Sequence, residues 1–339
     1  MKWALESARR MRTDTRTGTQ TLWLPARLAP LVYAACPPEP WGAPVSPGAK
    51  AVRYFAMVAA GATLWGCWSL FLRPAGLSGP QSALLALAAI SLPAPFLLRR
   101  EALRDRRATA ALVVVGLADA ANAALYFAAM RNGPVSVAVL THYLAPVLLA
   151  LSAPWVLAER PSSRALVGMP ITLLGLALLI IQPGTPFSGM TAAMGAGSAL
   201  FYAAIVLGSK EAARAYSPFA VTSLHAPISV AALLLYFGVE ALPPGLDGAT
   251  LRILVGGVGC GLIGSILFNA GLRHVPTAAA GALTYLEPLT ASGVGWAFFG
   301  EALTPAGVAG GMLVLVTGVW VAAERRAPAR LLAESSATP

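Results

Sequence analysis

The chain has 339 residues, of which 57% are hydrophobic and only 11% charged, and it carries a net charge of +10. A soluble domain has about 25% charged residues, and so large an apolar surplus cannot be hidden in one soluble core, so the solvent is lipid. The basic excess does not point to nucleic acid, because the charges are confined to the segments between apolar runs.

In chain order, residues 1–49 are basic, then Pro-rich (PPEPWGAPVSPGAK), and read as a disordered N-terminal tail. Its mildly apolar stretch, Leu22 to Cys36, is broken by Pro25, Arg27 and Pro30 and is too short to cross a bilayer. Ten apolar spans follow, at about 54–72, 80–98, 108–130, 134–158, 163–182, 190–208, 218–239, 250–272, 276–300 and 305–323. Each is near the ~20 residues that a crossing helix needs. Each is apolar around most of its circumference, which marks a lipid-embedded helix. Pro80, Pro134, Pro161, Pro183, Pro218, Pro243, Pro276 and Pro305 punctuate the joints, and residues 326–339 form a short cytoplasmic tail. With the N-terminus inside, 21 Lys and Arg residues fall on the cytoplasmic side and only Arg73, Arg131 and Arg252 on the other. That bias predicts a multi-pass protein of the cell (cytoplasmic or inner) membrane, N-in and C-in.

The sequence repeats itself. Leu125–Gly168 realigns without a gap on Leu267–Gly310: Arg131, Pro134, Ala138, Tyr143, Pro146, Glu159 and Gly168 meet Arg273, Pro276, Ala280, Tyr285, Pro288, Glu301 and Gly310, each pair 142 residues apart. Five spans per copy is an odd number, so the second copy enters from the opposite side. The predicted fold is an all-α membrane protein of ten transmembrane helices in two inverted five-helix repeats, at 50–183 and 184–325. Inverted repeats give related shapes open to each face, which is the basis of alternating access.

Several of these stretches resemble the EamA-type branch of the drug/metabolite transporter superfamily. The first half carries ATLWG at 62–66, NAALYFAAMRNGPVSVAVL at 122–140 and YLAPVLLALSAPWVLAERPS at 143–162. The second carries GSALFYAAIV at 197–206, LFNAGLRHVPTAAAGALTYLEPLTA at 267–291 and FFGEALTPAGVAGG at 299–311. The resemblance implies a ten-helix carrier of small metabolites, often an exporter of amino acids or related compounds. His142 departs from the family pattern, and its repeat mate is Thr284; Glu287 has Ala145 for a mate.

Ionisable groups within spans are few, and each is expensive at membrane depth, so Asp119, His142 and Glu287 are the proton-coupling candidates. Asp119, Asn122 and Tyr126 share one helical face. Glu287 precedes Pro288, which is expected to free a backbone carbonyl near Thr284, beside Tyr285; Pro146, Tyr143 and His142 build a similar spot in the first half. Trp65, Trp68 and Tyr202 are candidate walls for an apolar substrate, and Asn269 completes the substrate-binding set of Asn122, Tyr126, Tyr143, Thr284 and Tyr285. His225 reads as a satisfied packing residue, and Glu159 and Glu301 as helix-end capping or loop-pairing groups. Gly257/Gly261 and Gly307/Gly311 have the spacing for close helix approach.

GxxxxGK[ST], HExxH and GxSxG are absent, and GLAD at 116–119 has no second intramembrane Asp for a protease dyad. Cys36, Cys67 and Cys260 share no metal-ligand spacing, so neither cofactor nor metal nor catalytic residue is expected. The reading is a secondary carrier whose partners are a small-molecule substrate and the lipid bilayer, with a homodimer as a candidate assembly and no nucleic acid. A passive channel or facilitator stands as the alternative, with an intramembrane enzyme behind it.

Overall fold

The computed structural model describes residues 47–97, 105–181 and 184–323. The N-terminal tail to residue 46 with Cys36, the arginines Arg99, Arg100 and Arg104, Pro183, and the C-terminal tail with Arg325, Arg326 and Arg330 lie outside the described residues. Among the described residues the regular structure is helical throughout, with no strand. In the first half the helices are α1 (Pro47–Gly66), α2 (Ser69–Ala75), α3 (Gly79–Ser91), α4 (Ala94–Leu97), α5 (Arg106–Asn132), α6 (Val135–His142), α7 (Ala145–Val156) and α8 (Ser163–Ile180). In the second they are α9 (Gly189–Ala212), α10 (Pro218–Phe237), α11 (Gly248–Gly256), α12 (Gly264–Leu272), α13 (Thr277–Leu283), α14 (Leu286–Phe299) and α15 (Pro305–Ala322). A 3₁₀ turn, Gly238–Ala241, extends α10, and a π-helical stretch, Gly257–Ile263, joins α11 to α12.

Eight segments are long and apolar enough to cross a membrane: Val52–Ala75, Gly79–Leu97, Arg106–Met130, Val135–Val156, Ser163–Ile180, Gly189–Ala212, Pro218–Ala241 and Gly248–Leu272. The expected spans at 276–300 and 305–323 are shorter apolar pieces: α13 and α14 in place of one helix, and then α15. The reason for the first lies in Pro288, which cannot donate to Thr284 and so breaks the ladder there. Pro146 does the same between α6 and α7. The expected free carbonyl at Thr284 is corrected by the structure: the Glu287 N–H takes it, at 3.0 Å, in a tighter turn.

The joints are closed by side-chain caps. Ser78, Asp105, Ser162, Ser188, Ser217, Asp247 and Thr304 each accept a hydrogen bond from the backbone N–H three residues on. Such caps satisfy donors that a helix start leaves unpaired, each contributing about 0.5–2 kcal/mol.

Packing inside the bundle relies on small residues. α5 packs against α9 and α10, α1 against α12 and α14, α8 against α15, and α3 against α10 and the π-helical stretch. Backbones come close at Gly61 against Gly264, at Gly66 against Glu287 and at Gly175 against Gly310. Gly257 lies on Ala86 and Ala89, so the Gly257/Gly261 spacing does mark a close approach; on α15 the tight contact is made by Gly310. The main core gathers Val58, Leu149, Met169, Phe268 and Leu272 around the alanines of α13. Large apolar side chains face outward on most helices, among them Val114 and Leu117, Trp155, Leu174, Leu235, Phe298 and Val319.

Candidate functional site

The two breaks, at Tyr143–Leu144 and Thr284–Tyr285, meet each other. The Tyr285 hydroxyl donates to the Tyr143 carbonyl at 2.9 Å, and the two rings lie 5.9 Å apart. Tyr143 and Tyr285 are the repeat mates of the sequence, and both are buried. Thr284 is also buried, its hydroxyl donating to the Gly281 carbonyl.

Around this junction stands a cluster of rings with one carboxylate. His142 closes α6 and is surrounded by Tyr126 from α5 at 4.5 Å, Tyr143 at 5.2 Å and Tyr202 from α9 at 5.2 Å between centroids. His142 Nδ1 lies 2.8 Å from the Ser198 hydroxyl. That hydroxyl donates its single proton to the Gly195 carbonyl, so it accepts from the imidazole and Nδ1 carries a hydrogen. Glu287 lies in the first turn of α14, where the positive end of the helix dipole favours a carboxylate. Tyr126, Tyr143 and Tyr202 all lie within reach of its charge. Glu287, Tyr126 and Tyr202 are half-buried, and the Tyr202 hydroxyl and the Asn122 carbonyl oxygen are sealed without a hydrogen-bond partner.

Other expected site residues are placed apart from this cluster. Trp65 packs on α12, its indole N–H donating to Ser265 at 3.3 Å and its ring 4.7 Å from Phe268. Trp68 lies against Gly256 and Gly261. Asn269 ties α12 to α10 through the Thr222 hydroxyl at 3.0 Å. Asp119 faces α10, with its carboxylate 3.5 Å from His225 Nε2 and 3.3 Å from the Ser229 hydroxyl. The expected face of Asp119, Asn122 and Tyr126 therefore serves two partners: α10 through Asp119 and the ring cluster through Tyr126.

The helix-end glutamates make ion pairs. Glu159 binds Lys210 at 2.7 Å and accepts from the Thr277 N–H at 2.8 Å, while Lys210 also donates to the Val275 carbonyl. Burial alone would raise the Glu159 carboxyl, but the Lys210 ammonium and the Thr277 N–H outweigh it and hold it below the usual carboxylate range. Glu301 binds Arg73 at 2.5 Å, with the Arg73 guanidinium 4.8 Å over the Phe299 ring. The Lys210 pair is the more enclosed, with side-chain exposures of 13% and 29% against 45% and 48%. Sequence reasoning singled out neither cation. The available signal was position: Arg73 and Lys210 each stand two residues before the end of the first long apolar segment of a half.

Crossing segments, kinked helices meeting in the interior and polar groups at depth define a multi-pass membrane transporter as the class. The sequence matches the EamA-like transporter family twice, over residues 53–181 and 189–323, and the chain belongs to that family. It is 33% identical over 280 residues to an uncharacterized transporter of Archaeoglobus fulgidus, covering 80% of this chain and 97% of that relative. It is 30% identical over 205 residues to the uncharacterized transporter YwfM of Bacillus subtilis, covering 57% and 66%. The pseudopaline exporter CntI of Pseudomonas aeruginosa is 25% identical over 225 residues, 65% of this chain and 78% of that one. A solved crystal structure shares the fold with a TM-score of 0.67 at 19% identity, covering 85% of this chain and 99% of the other.

Proposed function

We propose that the protein is a secondary carrier that exports small metabolites, such as amino acids or related compounds, by alternating access between two inverted repeats of five spans each. The repeats run over 50–183 and 184–325, and the segments α13–α14 and α15 are the ninth and tenth spans, in an N-in, C-in protein of the cytoplasmic membrane. The observation that carries the reading is the exchange of ion pairs between halves. Glu159 and Glu301 are 142 residues apart, and their partners Lys210 and Arg73 are 137 apart at matching helix ends. Each glutamate thus reaches the first long helix of the other half. In inverted repeats such equivalent pairs close opposite faces, which is what two alternating gates require. The packing follows the same exchange: α1 lies on α12 as α9 lies on α5. The bond between the mates Tyr143 and Tyr285 supports an axis running through the junction.

Substrate binds in this reading near the midplane, at the cluster of Tyr126, His142, Tyr143, Tyr202, Thr284 and Glu287, beside Asn122. Glu287, His142 and Asp119 are the groups that can exchange a proton with the cycle. CntI, an exporter by name, supports the outward direction. The test is metabolite profiling of cells with and without the protein, then counterflow of the metabolite so found in proteoliposomes. A carrier saturates and shows counterflow; flux without saturation or counterflow identifies a channel. Glu287→Gln is expected to abolish transport driven by a pH gradient while counterflow at equal pH persists. Retention of full gradient-driven transport in Glu287→Gln, Asp119→Asn and His142→Gln alike would remove these groups from the coupling.

A further inference from the structure

Asp119 and His225 stand opposite one another on α5 and α10, inside the bundle and outside the ring cluster around Glu287. Their hydrogen bonds fix more than a contact. His225 Nδ1 lies 2.8 Å from the Val221 carbonyl, which can only accept, so Nδ1 carries a hydrogen and Nε2 is the nitrogen turned to Asp119. With Nδ1 committed, two arrangements satisfy the 3.5 Å contact. Either Asp119 is ionised and Nε2 carries a proton, or Asp119 carries the proton and Nε2 accepts. Both contain one exchangeable proton and both have zero net charge. Moving the proton from Oδ2 to Nε2 turns one into the other without changing the total.

Ser229 fits both forms. Its hydroxyl lies 3.0 Å from the Gly116 carbonyl and 3.3 Å from Asp119 Oδ2. It can donate to the ionised carboxylate. Alternatively it can donate to Gly116 and accept from the protonated acid. Loss of the shared proton would leave a bare negative charge among apolar helices, which is costly at depth. Tyr202 of α9 also feels the charge of Asp119. The neighbouring α3 and α12 carry no titratable side chain, and His142 of α6 is turned to Ser198.

We propose that Asp119, His225 and Ser229 form a proton-binding site that holds one shared proton and is distinct from Glu287. Its use in the cycle rests on the carrier reading above, but its existence does not. The test uses the full chain in lipid nanodiscs, with no transported substrate. The ¹⁵N signals of His225, assigned among the three histidines by single replacements, and the carboxyl infrared band of Asp119 are followed against pH. In a shared site both forms are populated, so loss of the proton changes the two signals over one pH interval, with Nδ1 protonated throughout. Asp119→Asn then displaces the His225 interval, and His225→Gln displaces that of Asp119. Glu287→Gln displaces neither. If the two groups of the unmodified chain change over separate intervals, and each replacement leaves the other's interval in place, the shared proton is overturned. Because no transport is measured, that failure is distinguishable from failure of the carrier reading.

Discussion

Ala158 sits at φ 56°, a left-handed conformation, and its repeat mate is Gly300 at φ 69°. This conformation is disfavoured for an L side chain by about 1–2 kcal/mol. In both halves the next residue is the helix-end glutamate, whose N–H closes back on the helix, Glu159 on the Ala153 carbonyl and Glu301 on that of Gly295. The left-handed turn therefore serves to aim the glutamates, and one half meets it with the less suited residue. Ala158→Gly should raise stability by up to about 1 kcal/mol and Gly300→Ala should lower it by about as much, read from denaturation midpoints in one detergent. A second prediction concerns acid. Glu159 is held below the usual carboxylate range in the folded protein, so its contribution is present above the unfolded-state pKa and is lost as pH falls through the folded one. Thermal midpoints should thus decline more steeply on acidification in the unmodified protein than in Glu159→Gln. Parallel pH profiles for the two would contradict the role of the Lys210 pair.

At the scale of elements, the close approach of α1 to α14 depends on Gly66. A Cβ there would run into the Glu287 carbonyl and Thr290 Cβ. Backbone cannot yield as a flexible side chain does, so Gly66→Val should displace α14 with Glu287. The expected result is a clear loss of thermal stability and of transport, whereas Gly293→Ala, with open space around it, should leave both near their original values. The helices were legible because lipid demands long apolar runs, and Ser, Asp and Thr caps stand at most of the joints that the sequence marks with Pro and Gly. The breaks at Pro146 and Pro288 were legible as prolines, but not the Glu287 N–H that takes the Thr284 carbonyl, since that bond belongs to backbone geometry. What Trp65 and Trp68 pack against was not legible either. Aromatic residues within a span say that something is packed against them, and here it is glycine and Phe268 of neighbouring segments.

For the whole molecule, the paired register of 142 residues was visible in sequence, and Glu159 and Glu301 with it. Their partners were not, because the Lys210 and Arg73 pairs join opposite halves and no local spacing records such contacts. His225 was likewise hidden, since only the packing of α10 on α5 sets it before Asp119. The proposed inverted arrangement predicts that reporters fused after Pro183 and Gly245 read as external and those after Arg104 and Arg214 as internal, following the charge bias. A cytoplasmic reading at Gly245 would break the inverted-repeat account. The most direct test of alternating access is to lock each ion-pair end in turn. Cysteines replace Glu159 and Lys210, or Arg73 and Glu301, in a chain freed of its native cysteines, and a short thiol cross-linker joins them. Counterflow of the metabolite identified by profiling should stop with either end locked and return when a cleavable linker is cut. Counterflow that continues at the original rate with either pair cross-linked would contradict the account.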